Sequence, residues 1–153
     1  MSIGKIYLQD MAQAKELLEM QRAAYLVEAE LIGSFAIPAL QEDLETLQNS
    51  DEIFYGYWID HRLAGAISYK KEGGLLDIYR LMVHPRYFRR GIGKALVSFV
   101  EGVEEGIERI IVSTGARNLP AKKLYEGLGF RDIGEREVIA GLWITHFEKC
   151  KRF

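Results

Sequence analysis

The sequence predicts a mixed α/β layered domain, with a mostly antiparallel central sheet of about seven strands flanked by about four helices. Three observations predict it. Runs of β-branched and aromatic residues of strand length recur along the chain. Stretches with apolar residues at helical spacing are interleaved with them. Capping residues open the helical stretches, and short turns containing Asp or Gly join the other runs. The resulting order is β-α-α-β-β-β-α-β-α-β-β.

Ile3 to Leu8 alternates as a first strand. Asp10 stands at an N-cap position with Gln13 three residues on, a capping-box variant. Leu17, Met20, Ala24, Val27 and Leu31 then form one apolar stripe on a helix from Met11 to Leu31. Pro38 opens a shorter second helix with Leu40, Leu44 and Leu47 on one side and Asn49 as its stop. Ile53–Ile59, Leu63–Lys70 and Leu75–Val83 read as an antiparallel meander, turned at Asp60-His61 and at Glu72-Gly73-Gly74. After Pro85 an Arg-rich loop leads to Gly91-Ile92-Gly93. There the cleanest helical pattern begins, through Ile92, Ala95, Leu96, Phe99, Val100 and Val103. Arg109–Ser113 is a short buried-strand candidate. Asn118 caps a helix with Leu124 and Leu128 inward and Gly127 or Gly129 at its end. Phe130–Val138 and Leu142–Glu148 close the chain as a hairpin around Ala140-Gly141.

Length and composition set the bounds. The 153 residues fit one domain, 1–153, and no repeat or linker-like tract divides them. Lys plus Arg (20) nearly balances Asp plus Glu (22), so no global basic field exists to hold nucleic acid or an anionic membrane. Any phosphate site must be local. Cys150 is the single cysteine, which excludes an intrachain disulfide and a Cys-rich metal cluster. His61, His84 and His146 lack metal-ligand spacing, so no metal is expected. The N-terminus resembles no signal peptide, and the longest uncharged stretch, Leu31–Gln41, is too short to span a bilayer. A soluble, cytoplasmic domain is expected.

The segment from Val83 to Leu96 carries the chemistry. A strand ends, a basic loop follows, and a helix starts on glycines. The first amides of a helix lack internal partners and together carry about half a positive charge. Gly91 and Gly93 leave the backbone open to a bulky anion, and Arg89, Arg90 and Lys94 add charge. This is the expected setting of a phosphate or pyrophosphate cradle. It is not a P-loop, because Ala95 follows Lys94, nor a dinucleotide fingerprint, because Leu96 stands at the third glycine position.

The stretch VHPRYFRRGIGKAL resembles the acyl-CoA pyrophosphate loop of the GNAT superfamily of N-acyltransferases, Q/R-x-x-G-x-G/A. The run ARNLPAKKLYEGLGF, Ala116 to Phe130, resembles that superfamily's A-x-x-L-Y-x-x-x-G-F helix and turn. Phe88 departs from the first pattern. The resemblance implies a GNAT-like fold and acetyl-CoA as acyl donor. It implies that amides of Arg89, Arg90, Gly91, Ile92, Gly93 and Lys94 bind the pyrophosphate. By the same resemblance, backbone at Leu81, Met82 and Val83 pairs with the pantetheine arm, Asn118 contacts the cofactor, and Tyr125 stands near the thioester sulfur.

Acetyl transfer to an amine needs a neutral nucleophile, a donor for the oxyanion, here a strand amide near Met82, and a proton or hydrogen bond for the departing thiolate. Tyr125 serves the thiolate. Asp77 is the base candidate: alternation from Asp77 through Tyr79 to Leu81 and Val83 would put it on the cofactor's side, where some family members carry a carboxylate. Glu28, at the border of the first helix's stripe, is the candidate to hold a cationic amine. Tyr55, Tyr57 and Trp58 serve either a pocket wall or the core. Cys150 has no evident base beside it in sequence, which argues against a cysteine nucleophile.

The leading expectation is therefore direct acetyl transfer to a primary amine on a small molecule or a protein. The alternatives are a non-catalytic acyl-CoA-binding module and, against the charge balance, a nucleic-acid binder using Arg86, Arg89 and Arg90. The identity of the amine, and whether a dimer forms through an edge strand, are left open.

Overall fold

The computed structural model describes residues 2–151. Its strands are β1 (Ser2–Lys5), β2 (Ile53–Ile59), β3 (Arg62–Glu72), β4 (Leu75–Val83), β5 (Arg109–Gly115), β6 (Arg131–Ile139) and β7 (Leu142–Cys150). Its helices are α1 (Met11–Ile32), α2 (Pro38–Gln41), α3 (Leu44–Gln48), α4 (Ile92–Val103) and α5 (Leu119–Gly127), with a 3₁₀ turn at Pro85–Tyr87. The strands form one sheet in the order β1-β2-β3-β4-β5-β7-β6. Only β4 and β5 run parallel; the other neighbours are antiparallel. The predicted mixed sheet is the observed one.

The differences have local causes. Asp10 caps α1 by accepting from Ala12 N at 3.0 Å and Gln13 N at 3.3 Å, as its position requires. Gln13 reaches back past the cap to Tyr7 N at 2.9 Å, and that turn ends β1 before Leu8. The single helix expected from Pro38 is two. Glu42 takes an extended ψ of 134°, and Asp43 recaps the chain through Thr46 N at 2.8 Å. On α1 the stripe shifts at its C-terminal end: Leu31 is exposed, whereas Ala29 and Ile32 are buried.

The sheet is covered on two faces. On one, α4 lays Ile92, Leu96, Val97 and Val100 against Ile67, Tyr69, Leu76, Ile78 and Ile110. Tyr57 belongs to this core and Tyr55 packs against it. On the other, α1 and α3 bring Leu17, Met20 and Leu47 onto Phe54, Leu63, Ala66 and Met82. Each of the leucine, isoleucine, valine, methionine and phenylalanine side chains contributes about 1.5–3 kcal/mol by leaving water. Gly65 shows how close the packing is. A Cβ there would lie 2.8 Å from Ile92 Cγ2 and 2.9 Å from the Met82 carbonyl oxygen. Because one obstacle is backbone, Gly65→Ala is expected to destabilise the fold by about 1–3 kcal/mol in urea unfolding; no change in midpoint would contradict this packing.

Candidate active site

The site begins where β4 and β5 separate. They pair only from Leu75–Asp77 to Arg109–Ile111. Further along, β4 carries a bulge. Ser68 pairs with Arg80 while Tyr69 pairs with Ile78, so Tyr79 is an extra residue on β4. Meanwhile β5 stays with β7 as far as Gly115. The parting strands form a fork. His84 N donates to Ala64 O at 2.8 Å, which fixes the phase of the β3–β4 ladder. By antiparallel alternation Met82 and Arg80 bond toward β3, and the amides and carbonyls of Leu81 and Val83 turn toward the fork. Ala116 N donates to Trp143 O, so the Gly115 N–H likewise points away from β7, into the fork.

Two sequence expectations are corrected here. The bulge resets side-chain parity, so Asp77 faces Lys70 and the α1 side, whereas Leu81 and Val83 pack in the α4-side core. Asp77 sits on the last rung of the closed end. Met82, expected to offer its backbone to the cofactor or the oxyanion, commits it to β3 instead.

At the head of α4 the chain rises through Arg89 (φ +66°) and Gly91 (φ +75°) into Ile92. Among the described residues no hydrogen bond engages the amides of Arg89, Arg90, Gly91, Ile92, Gly93 or Lys94. A Cβ at Gly91 would meet nothing within 4 Å, so the space beside that backbone is open. Gly93 differs from expectation. It is buried, and a Cβ there would stand 3.1 Å from Leu124 Cδ2. Its missing side chain seats α5 on α4 and makes no room for an anion. Arg86, Arg89, Arg90 and Lys94 are exposed, and among the described residues none pairs with a carboxylate. The Arg90 guanidinium lies over the Tyr87 ring at 5.4 Å.

Three residues distant in sequence meet at the fork. Glu28 projects from α1 toward the Asn118 side-chain amide and the Gly115 N–H. Burial raises its pKa, and those two donors offset only part of the rise. Asn118 Oδ1 also caps α5 through Ala121 N at 3.2 Å, so the side-chain amide is the end that faces Glu28. The Tyr125 ring is 3% exposed and packs on Phe130 and Phe147. Burial, then the charge of Glu28, pushes its hydroxyl pKa up, so it stays protonated. Among the described residues it has no hydrogen-bond partner. Tyr125 is thus equipped to donate a hydrogen bond and poorly equipped to surrender a proton.

Beside this cluster lies a groove of about 630 Å³, walled by Tyr25, Pro38, Glu42, Glu52, Tyr79 and Arg80. Its floor is a network the sequence reading missed. Arg80 Nη1 donates to Glu42 and, at 2.8 Å, to Gln21 Oε1; Nε and Nη2 donate to Glu52 at 3.0 and 3.1 Å. Arg80 is the one charge between Ile78 and Val83, and that was the available signal. A cation in an apolar strand needs carboxylates, but nothing local says which. Tyr25 gave no signal. Among the described residues no cluster of His, Cys, Asp and Glu could hold a metal.

Fork and helix head together define an α/β protein with unpaired strand-edge backbone leading to free amides at a helix N-terminus, the kind of backbone that extended chains and anions can engage. The chain belongs to the Acetyltransferase (GNAT) family, whose model matches residues 14–130. It is 44% identical over 134 residues to the UPF0157 protein YqkA of Bacillus subtilis (strain 168), covering 88% of this chain and 39% of that protein. The chain spans less than half the length of the curated relatives it matches. Among solved structures, PaiA N-acetyltransferase from Thermoplasma acidophilum in complex with coenzyme A matches with a TM-score of 0.76 at 22% identity, over 99% of this chain and 100% of that one. The ribosomal-protein-S18-alanine N-acetyltransferase from Escherichia coli matches at 0.74 and 18%, over 96% and 91%. At these identities the likeness is one of fold.

Proposed function

We propose that this chain transfers the acetyl group of acetyl-CoA directly to a primary amine within a ternary complex. The observation that carries the reading is the run of six unengaged amides from Arg89 to Lys94 at the end of the fork strand. In this reading they hold the diphosphate, and Leu81 and Val83 pair with the amides of the pantetheine arm. Tyr125 donates a hydrogen bond to the thiolate as it leaves. The carboxylates of Glu42, Asp43 and Glu52 outnumber Arg80 around the groove, which favours a cationic acceptor. Asn118, engaged with Ala121 N and Glu28, positions the cluster from the α5 side.

A steady-state thiol-release assay with acetyl-CoA and a panel of primary amines tests the reading. Amine-dependent release supports it. Tight coenzyme A binding without release from any amine would instead support a binding module that transfers nothing. Within the assay, Tyr125→Phe is expected to lower kcat by roughly 10²-fold while leaving the affinity for coenzyme A within about twofold; an equal kcat would remove Tyr125 from the reaction.

A further inference from the structure

We propose that Glu28 is the base that takes the proton from the acceptor's ammonium group, an assignment that rests on the acyl-transfer reading above. Three elements converge to place it. Ile32, one turn beyond Glu28 on α1, packs on Gly115 at the end of β5, where a Cβ would lie 2.6 Å from Ile32 Cγ2, and this turn brings Glu28 to the Gly115 N–H and to the Asn118 amide at the cap of α5. The carboxylate therefore stands on the β5 side of the fork, across from the turned-out backbone of Leu81 and Val83. It also lies near enough to the Tyr125 hydroxyl to act on it electrostatically. Asp77, the candidate from sequence, is held where β4 and β5 still pair, facing Lys70.

The surroundings suit a proton acceptor. The titratable groups that face Glu28 are Tyr25 on its own helix and Tyr125 on α5. Arg80 and Glu52 act on Tyr25, and Arg117, after the β5 turn, lines the neighbouring cavity with Ile32. The influences on Glu28 are burial and two neutral donors, with no cation among them. A carboxylate left without a cation, in a partly dry site, binds a proton more readily than an ordinary one. It also attracts an ammonium ion. In the reaction one ammonium proton passes to Glu28. The neutral amine attacks the thioester carbonyl, the C–N bond forms and the C–S bond breaks. A second nitrogen proton ends on the sulfur, the third remains on the amide, and Glu28 returns its proton to water.

The test is the pH dependence of kcat/KM, using whichever of 1,4-diaminobutane, kanamycin and a lysine tetrapeptide the unaltered protein acetylates. That protein should show an acid limb with a midpoint above the free glutamate value of about 4.3. Glu28→Gln should lower kcat/KM by roughly 10²-fold at neutral pH and lose this limb. Its residual rate should climb about tenfold per pH unit toward the acceptor's own pKa, because only amine already neutral in solution reacts. A merely structural role gives no such rescue by alkali. Glu28→Asp, which keeps a carboxylate, should keep the limb at a reduced rate, and it serves should the glutamine variant fail to fold. The proposal is overturned if Glu28→Gln keeps both rate and limb, or if Asp77→Asn removes the limb and Glu28→Gln does not. Coenzyme A binding with none of the three amines acetylated would overturn the acyl-transfer reading and Glu28 with it; an active protein with an intact limb in Glu28→Gln overturns Glu28 alone.

Discussion

Arg80→Leu is expected to destabilise the protein by about 3–5 kcal/mol, measured by urea unfolding. The side chain is 13% exposed, and its partners Glu42 and Glu52 are 11% and 10% exposed. Removing the guanidinium leaves two carboxylates in a site where water solvates them poorly. The cost is that of stranded charge rather than of the lost attraction, so a further substitution should reveal it. Arg80→Leu combined with Glu42→Gln and Glu52→Gln should recover part of the loss. Arg80→Leu alone within about 1 kcal/mol of the unaltered protein would mean that the network is solvated and energetically idle. The same network sets a pH response. Burial raises the Glu42 pKa, but its bonds to Arg80 and Gln21 outweigh this and hold it below the usual carboxylate range. A carboxylate depressed in the folded state stabilises the fold at pH values above its unfolded pKa, about 4.3. That stability is lost as pH falls through the lower, folded value. Arg80→Leu should therefore also flatten the acid side of the stability profile.

Gly91→Asp is expected to weaken coenzyme A binding by roughly 5- to 1000-fold in calorimetry. The estimate is electrostatic. A like charge about 4 Å from a phosphate costs on the order of 1 kcal/mol in water and about 4 kcal/mol in the intermediate dielectric of a protein surface. Gly91 also has φ +75°, which strains most side chains, so the charge must be separated from the strain. Gly91→Asn does this, because asparagine tolerates the left-handed region and carries no charge. The asparagine variant should bind far more tightly than the aspartate variant, and the gap should narrow as salt is added. Equal affinity for the two would place the diphosphate away from this turn.

Much of the fold was legible because its determinants are short-range. Asp10, Pro38, Gly91 and Asn118 each start a helix through bonds or dihedrals spanning a few residues. Alternation marks strands independently of their neighbours, so the order of elements and the helix start at Gly91–Ile92 could be read directly. Alternation failed at Asp77, where a single extra residue at Tyr79 reverses the face of everything after it. The bulge shows only in the register of β4 against β3, and no residue in Leu75–Val83 announces it.

The sequence by itself determined the elements, their order, and the glycine-started helix with its free amides, because each depends on backbone chemistry within a few residues. Only the tertiary structure decided that β4 and β5 part, that Gly93 serves packing, that Arg80 is held between Glu42 and Glu52, and that Glu28 meets Asn118 and Tyr125. Those outcomes join residues tens of positions apart. Their partners are chosen by burial and by the need of each desolvated polar group for a counterpart, neither of which is set until the whole chain has packed.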